Sequence, residues 1–114
     1  MAIVNITTQN DADFYRTFAL QTTSGTPIDM TGSTLEMKLR RHAQDDTAVL
    51  RLGSDTGEIA LTDPVNGQFT VRIAQSELMR LGLGDFDQSN IMTRGGYKYR
   101  VWTGTLTNNA GPTR

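Results

Sequence analysis

Apolar and polar residues alternate strictly through residues 33–41, where Leu35, Met37 and Leu39 point one way and Glu36, Lys38 and Arg40 the other. A period of two predicts a strand with one buried face. The preceding Pro27-Ile28-Asp29-Met30-Thr31-Gly32 combines a fixed φ, an Asp that bonds its own backbone and a flexible Gly, so it reads as the turn that launches this strand. The same alternation recurs at Phe69, Val71 and Ile73, facing Ile59 and Leu61 across Asp63-Pro64-Val65-Asn66-Gly67. Residues 58–73 therefore read as a hairpin. Leu35, Met37, Leu39, Phe69, Val71 and Ile73 are expected to form the shared core of two packed sheets.

The remaining segments carry weaker patterns. Residues 1–7 are short and β-branched, which suits an edge strand or an arm. In residues 13–21, Phe14, Phe18 and Leu20 share one face, with Arg16 interrupting it, and residues 48–52 read as another short strand. Leu78, Met79 and Leu81 break the period of two and predict a helical turn capped by Ser76 and ended near Gly82. Residues 84–96 read as a polar, irregular segment enclosing Phe86, Ile91 and Met92. Alternation resumes at Tyr97, Tyr99 and Val101, with Lys98, Arg100 and Trp102 opposite, and residues 106–114 read as a fraying tail. Roughly seven short strands and one helical turn predict an all-β, antiparallel, immunoglobulin-like β-sandwich as a single domain over residues 1–114, with a small open barrel as the alternative.

Charge and composition narrow the function classes. With 11 basic and 12 acidic side chains the net charge is −1, which gives no field to steer the chain onto nucleic acid or an anionic membrane. No apolar run approaches the length of about 20 residues that a membrane helix needs. The absence of cysteine removes disulfides, thiolate zinc sites and cysteine nucleophiles. The amino-terminal Met-Ala-Ile-Val-Asn-Ile-Thr-Thr lacks the basic and apolar regions of a secretory signal, so synthesis and folding in a cytoplasm are expected.

The order of these pieces resembles that of small β-domains in bacteriophage and prophage tails and baseplates. The resemblance runs from Asp13 to Val101. It is carried by the Phe14–Leu20 strand, the Pro27–Gly32 turn, the strand ending in Arg40-Arg41, the Gly57–Ile73 hairpin, the turn at Ser76–Leu81 and Tyr97-Lys98-Tyr99. It implies a non-enzymatic structural component of a tail, baseplate or head-tail junction, located in the virion or a tail-like particle. Such a protein works through self-association and docking to other phage structural proteins. The family usually adds another Gly-flanked strand where this chain reaches Arg114, which implies a vacant last sheet position. A carbohydrate- or protein-binding module of a host-contact device is the alternative, and an enzyme comes third.

No catalytic, cofactor or metal constellation emerges. His42 is the single histidine, without cysteine or a carboxylate at ligand spacing, and reads as a surface or turn residue. Asp85-Phe86-Asp87-Gln88-Ser89 mimics the start of a calcium loop, yet Asn90 stands where Gly is needed and Gly96 where Glu is needed. The carboxylate pairs Asp11 with Asp13, Asp45 with Asp46 and Asp55 with Glu58 are read as turn chemistry. Phe86, Ile91 and Met92, apolar within a polar stretch, are the expected partner interface of a homo-oligomer.

Overall fold

The alternation at residues 35–39 is realised in three dimensions: Leu35, Met37 and Leu39 are buried while Lys38 is exposed. The computed structural model describes residues 2–113. Its strands are β1 (Ala2–Ile3), β2 (Ile6–Gln9), β3 (Phe14–Ala19), β4 (Thr34–Arg40), β5 (Leu50–Gly53), β6 (Ile59–Asp63), β7 (Gln68–Ile73), β8 (Gly84–Arg94) and β9 (Tyr97–Asn109). A 3-10 turn (Pro64–Asn66) joins β6 to β7, and the helix α1 (Gln75–Leu81) joins β7 to β8.

The strands form two sheets. The larger runs β1-β9-β8-β4-β5, with β2 continuing β1 along the same edge of β9, and the smaller runs β3-β7-β6. All pairings are antiparallel except those of β1 and β2, which lie parallel to β9. The order β3-β7-β6 in one sheet, with β9-β8-β4-β5 in the other, gives an immunoglobulin-like β-sandwich. Among the described residues no pairing joins the sheets, so the fold is an all-β sandwich and not a barrel.

Side chains from both sheets meet in one core. Leu35, Met37, Leu39 and Phe86 from the larger sheet join Phe69, Val71 and Ile73 from the smaller, and all six residues expected from the alternation are buried there. No disulfide bridges the sheets. Three rings do so by packing: Phe18 lies 4.7 Å from Trp102 and 5.7 Å from Phe69, and Phe69 lies 5.6 Å from Trp102, centroid to centroid. Arrangements of this kind contribute about 0.5–1.5 kcal/mol per pair beyond the area they bury.

Four sequence expectations are corrected. Residues 84–94 are not an irregular segment but the core strand β8, which pairs along its whole length with β9 and with β4. The strand is polar because two of its inward positions, Gln88 and Asn90, are amides. Residues 106–109 do not fray: they extend β9, where Leu106 and Asn108 are completely buried, and the Gly111 N–H donates to Asn10 Oδ1 at 2.8 Å. Arg114 lies outside the described residues. The last strand is not left unpaired, because β1 and β2 occupy its outer edge. Ser76 does not cap the helix; its N-cap is Ala74, and Asp13 Oδ1 accepts the Gln75 N–H at 2.7 Å from across the chain.

Face assignment in β9 also changes. Asn90 pairs with Trp102 while Ile91 pairs with Arg100, so Val101 is the extra residue of a β-bulge. The bulge inverts side-chain parity. Trp102 therefore shares the inward face with Tyr99 and Tyr97, where strict alternation had placed it opposite them. The core ends near Met92, and beyond it β8 and β9 continue as a projecting hairpin closed by Gly95 and Gly96, whose φ values of +58° and +81° suit a tight two-residue turn.

The arm is locked by buried amides. Gln88 Nε2 donates to Val4 O at 2.8 Å and to Thr105 O at 3.3 Å, while its Oε1 accepts Trp102 Nε1–H at 2.8 Å. Gly104, opposite Gln88, leaves the space into which the Val4 carbonyl settles; a Cβ there would fall on that oxygen. Asn108 Nδ2 donates to Leu78 O and Gly82 O, each at 2.9 Å, and its Oδ1 accepts from Thr8 Oγ1 at 2.9 Å, so one side chain joins β2, β9 and α1.

Three substitutions test this packing. Gly104→Ala is expected to expel Val4 and cost about 1–3 kcal/mol in urea unfolding, the range typical of overpacking; an unchanged midpoint would reject the close approach. Asn90 is fully buried with neither amide atom hydrogen-bonded. Each unsatisfied group costs about 1–3 kcal/mol, so Asn90→Leu, similar in volume, is expected to raise the melting temperature. Val71→Asp, which buries an unpaired charge in a domain holding about 5–15 kcal/mol, is expected to unfold it. A lowered melting temperature for Asn90→Leu would show that the amide is bonded in solution.

Candidate functional site

Two surfaces stand out, and both are products of the larger sheet. Its outward face is a shallow groove of about 740 Å³, built from alternate residues of β4, β8 and β9 together with Ile3. Glu36, Lys38, Arg40, Asp87, Ile91 and Arg100 supply its chemistry. A second hollow of about 330 Å³ continues from it across Ile91, Thr93 and Lys98 toward Arg51.

Charges in the groove are largely matched. Glu36 Oε2 accepts from Arg51 Nε at 2.6 Å, Arg51 Nη2 reaches Asp55 Oδ1 at 3.0 Å, and Lys38 Nζ lies 4.0 Å from Glu36. The bond to Glu36, then that to Asp55, raises the Arg51 pKa above its ordinary value, and the Arg51 bond lowers that of Asp55. All of these groups are solvent-exposed, so the pairs set register across the strands more than they stabilise them. Asp87 is used structurally, accepting the Ala43 N–H at 2.9 Å, and Arg40 Nη1 donates to Asp45 O at 3.0 Å.

The second surface is the hairpin tip. Tyr97 is 70% and Tyr99 49% exposed, side by side on one face, and Arg94, Lys98 and Arg100 lie within the same seven residues without an acid among them. The tip is held, not loose. Arg94 Nη1 donates to Asp29 O at 2.9 Å, and the Met30 N–H donates to Pro64 O at 2.7 Å, tying the tip, the β3–β4 loop and the 3-10 turn into one end of the sandwich. Within that loop Asp29 accepts from the Thr31 hydroxyl at 2.6 Å and from its N–H at 2.8 Å, which lowers the carboxyl pKa.

The residues expected to form a partner interface are separated by the strand. Phe86 and Met92 face inward and are 1% and 7% exposed, committed to the chain's own core, with the Arg41 guanidinium stacked 4.1 Å above the Phe86 ring. Ile91 alone faces outward, in the middle of the groove. Asp85, Asp87 and Ser89 lie on the outward side of an extended strand, a geometry that cannot wrap an ion, and among the described residues no three potential metal ligands come together. His42 is exposed at the end of β4, where its N–H donates to Asp45 Oδ2 at 3.1 Å. Asp11 and Asp13 serve separate partners, the Thr113 N–H and the Gln75 N–H. Strict alternation sets Tyr97 and Tyr99 opposite Trp102 and assigns all three to core or interface packing; the two tyrosines are exposed at the tip and share the face of Trp102.

The chain folds like a phage protein domain. It superposes on the N-terminal domain of phage TP901-1 ORF48 with a TM-score of 0.51, covering 94% of this chain and 84% of that one at 13% identity. At that identity the likeness concerns the fold. No protein-family model matches the chain, and neither does any curated protein sequence.

The split of adjacent β8 residues between two faces is directly testable. Ile91→Ser, on the groove side, is expected to change stability by less than about 0.5 kcal/mol, whereas Met92→Ser, on the core side, is expected to cost about 2–4 kcal/mol. Equal losses in chemical denaturation would contradict the register of β8.

Proposed function

We propose that this chain is a non-enzymatic structural component of a phage or prophage tail, baseplate or head-tail junction, acting by self-association and by docking to other structural proteins of the particle. The observation that carries the reading is the likeness to the phage ORF48 domain over 94% of the chain. The order of turns and strands in the sequence, from Phe14 to Tyr99, supports it independently. The chain is made in the bacterial cytoplasm and ends in the particle.

The surface chemistry favours docking over sugar recognition. A sheet-face carbohydrate platform needs aromatic rings for stacking, and the outward face of the larger sheet presents Glu36, Lys38, Ile91 and Arg100 with no ring among them. The rigid tip with Tyr97, Tyr99 and Arg94 has instead the composition of protein-protein hot spots, which favour Tyr and Arg on ordered supports.

Particles purified by density gradient from an induced producing strain provide the test. Mass spectrometry is expected to find the chain at a fixed ratio to the major tail proteins. Its presence in the lysate and absence from intact particles would overturn the reading.

A further inference from the structure

The chain contains a single Asn-Gly pair, Asn66-Gly67, and it lies in the turn between β6 and β7 with the Asn66 side chain exposed. In such a pair the backbone nitrogen can attack the preceding carboxamide with little obstruction, because glycine has no Cβ. The Gly67 nitrogen loses its proton and bonds to Asn66 Cγ, while the Cγ–Nδ2 bond breaks and ammonia leaves with that proton. Water then opens the five-membered imide. Opening at the Cγ carbonyl leaves an aspartate, and opening at the main-chain carbonyl leaves an isoaspartate, whose backbone is one carbon longer. Ring closure therefore has two demands: the peptide after Asn66 must rotate out of the helical range so that nitrogen and Cγ meet, and the Gly67 N–H must be free to ionise.

The fold withholds both. Asn66 ends the 3-10 turn, and the Gly67 N–H donates back to Pro64 O at 3.1 Å. Asn66 Nδ2 donates to Asp63 Oδ2 at 2.9 Å, which ties the carboxamide to the end of β6. Gly67 is not free to swing toward it. It is buried at φ +71°, so close to its neighbours that a Cβ would lie 2.5 Å from Leu20 O and 2.8 Å from Ile28 O. Its carbonyl accepts the Leu20 N–H at 2.8 Å, and Pro64 O accepts the Met30 N–H at 2.7 Å, so the segment after β3 holds the turn at both of its ends.

We propose that Asn66-Gly67 is a latent deamidation site, held closed by the packed 3-10 turn and attacked only when that turn opens. The product does not fit the closed turn. An isoaspartate inserts its extra backbone carbon between two anchored carbonyls, those of Pro64 and Gly67. Either product also sets a second carboxylate beside Asp63 where Asn66 had offered a donor.

Peptide mapping by mass spectrometry tests this, on the full chain held in one mildly alkaline buffer with and without denaturing guanidinium chloride. In denaturant Asn66 is expected to deamidate before Asn109, which precedes Ala and serves as the internal reference. Without denaturant the Asn66 rate is expected to fall at least about tenfold, because only locally opened molecules react. Chains deamidated in denaturant and returned to native buffer are expected to melt below unmodified chains carried through the same cycle. An Asn66 rate equal in the two states would show that the turn does not hold the site, and an Asn66 no faster than Asn109 in denaturant would show that there is no site to hold; either overturns the proposal. Modified chains that melt together with unmodified ones would overturn the misfit of the product.

Discussion

Two amide side chains buried in the larger sheet set the constraint on which the rest of the molecule depends. Gln88 and Asn108 are 3% and 0% exposed, and each must find partners inside a core that offers few. Gln88 finds them in the Val4 and Thr105 carbonyls and in the Trp102 indole; Asn108 finds them in Thr8 and in the end of α1. Satisfying these groups fixes the arm on β9, the indole against Phe18 and Phe69, and the helix against the sheet. The inter-sheet ring cluster thus depends on a polar residue that does not itself touch the smaller sheet's rings. In a chain without cysteine, the ring cluster that this network positions spans the two sheets, where a disulfide often does so in small sandwiches.

The same amides explain what was and was not legible in the sequence. Strands whose inward residues are all apolar, such as β4 and β7, announce themselves by period-two alternation, and all six core positions drawn from them are buried. β8 carries Gln88 and Asn90 inward, between Phe86 and Met92, so its pattern reads as polar and irregular although it is paired on both sides. The end of β9 fails for the same reason, since Asn108 is a buried amide and Thr103, Gly104 and Thr105 give no alternation. The bulge at Val101 is a separate matter: one extra residue inverts a face, and only the partner strand reveals it. Phe86 and Met92 were drawn to the surface by the misread strand, and the exposed Tyr97 and Tyr99 were left out of the candidate site by the missed bulge.

Function-bearing geometry follows from strand length. The hairpin of β8 and β9 outruns the core because both strands continue past Met92, where their residues are no longer buried. Inward-facing positions beyond that point, Tyr99, Arg94 and Tyr97, have nothing to cover them, so a core face becomes a solvent face within a single pair of strands. The Arg94 bond to the Asp29 carbonyl and the turn at Thr31 keep the result stiff. An exposed aromatic surface arises here by extension of the scaffold, without a long loop to order.

The parallel pairing of β1 and β2 with β9 has a consequence for how the protein is born. Thr8 meets Asn108, and Asn5 meets Thr105, across 100 residues of sequence, among the most distant contacts of the described residues. Contacts so far apart form late, because their loop-closure entropy is repaid only when the intervening chain is already structured. During translation the arm emerges about 100 residues before the strand it pairs with and must wait for it. Through that interval the arm is an unpaired extended segment and, once β9 emerges, β9 offers an open edge. Until β9 pairs, neighbouring nascent chains hold complementary unpaired strands, and the Gln88 bond to the Val4 carbonyl is one of the contacts that close each arm on its own body.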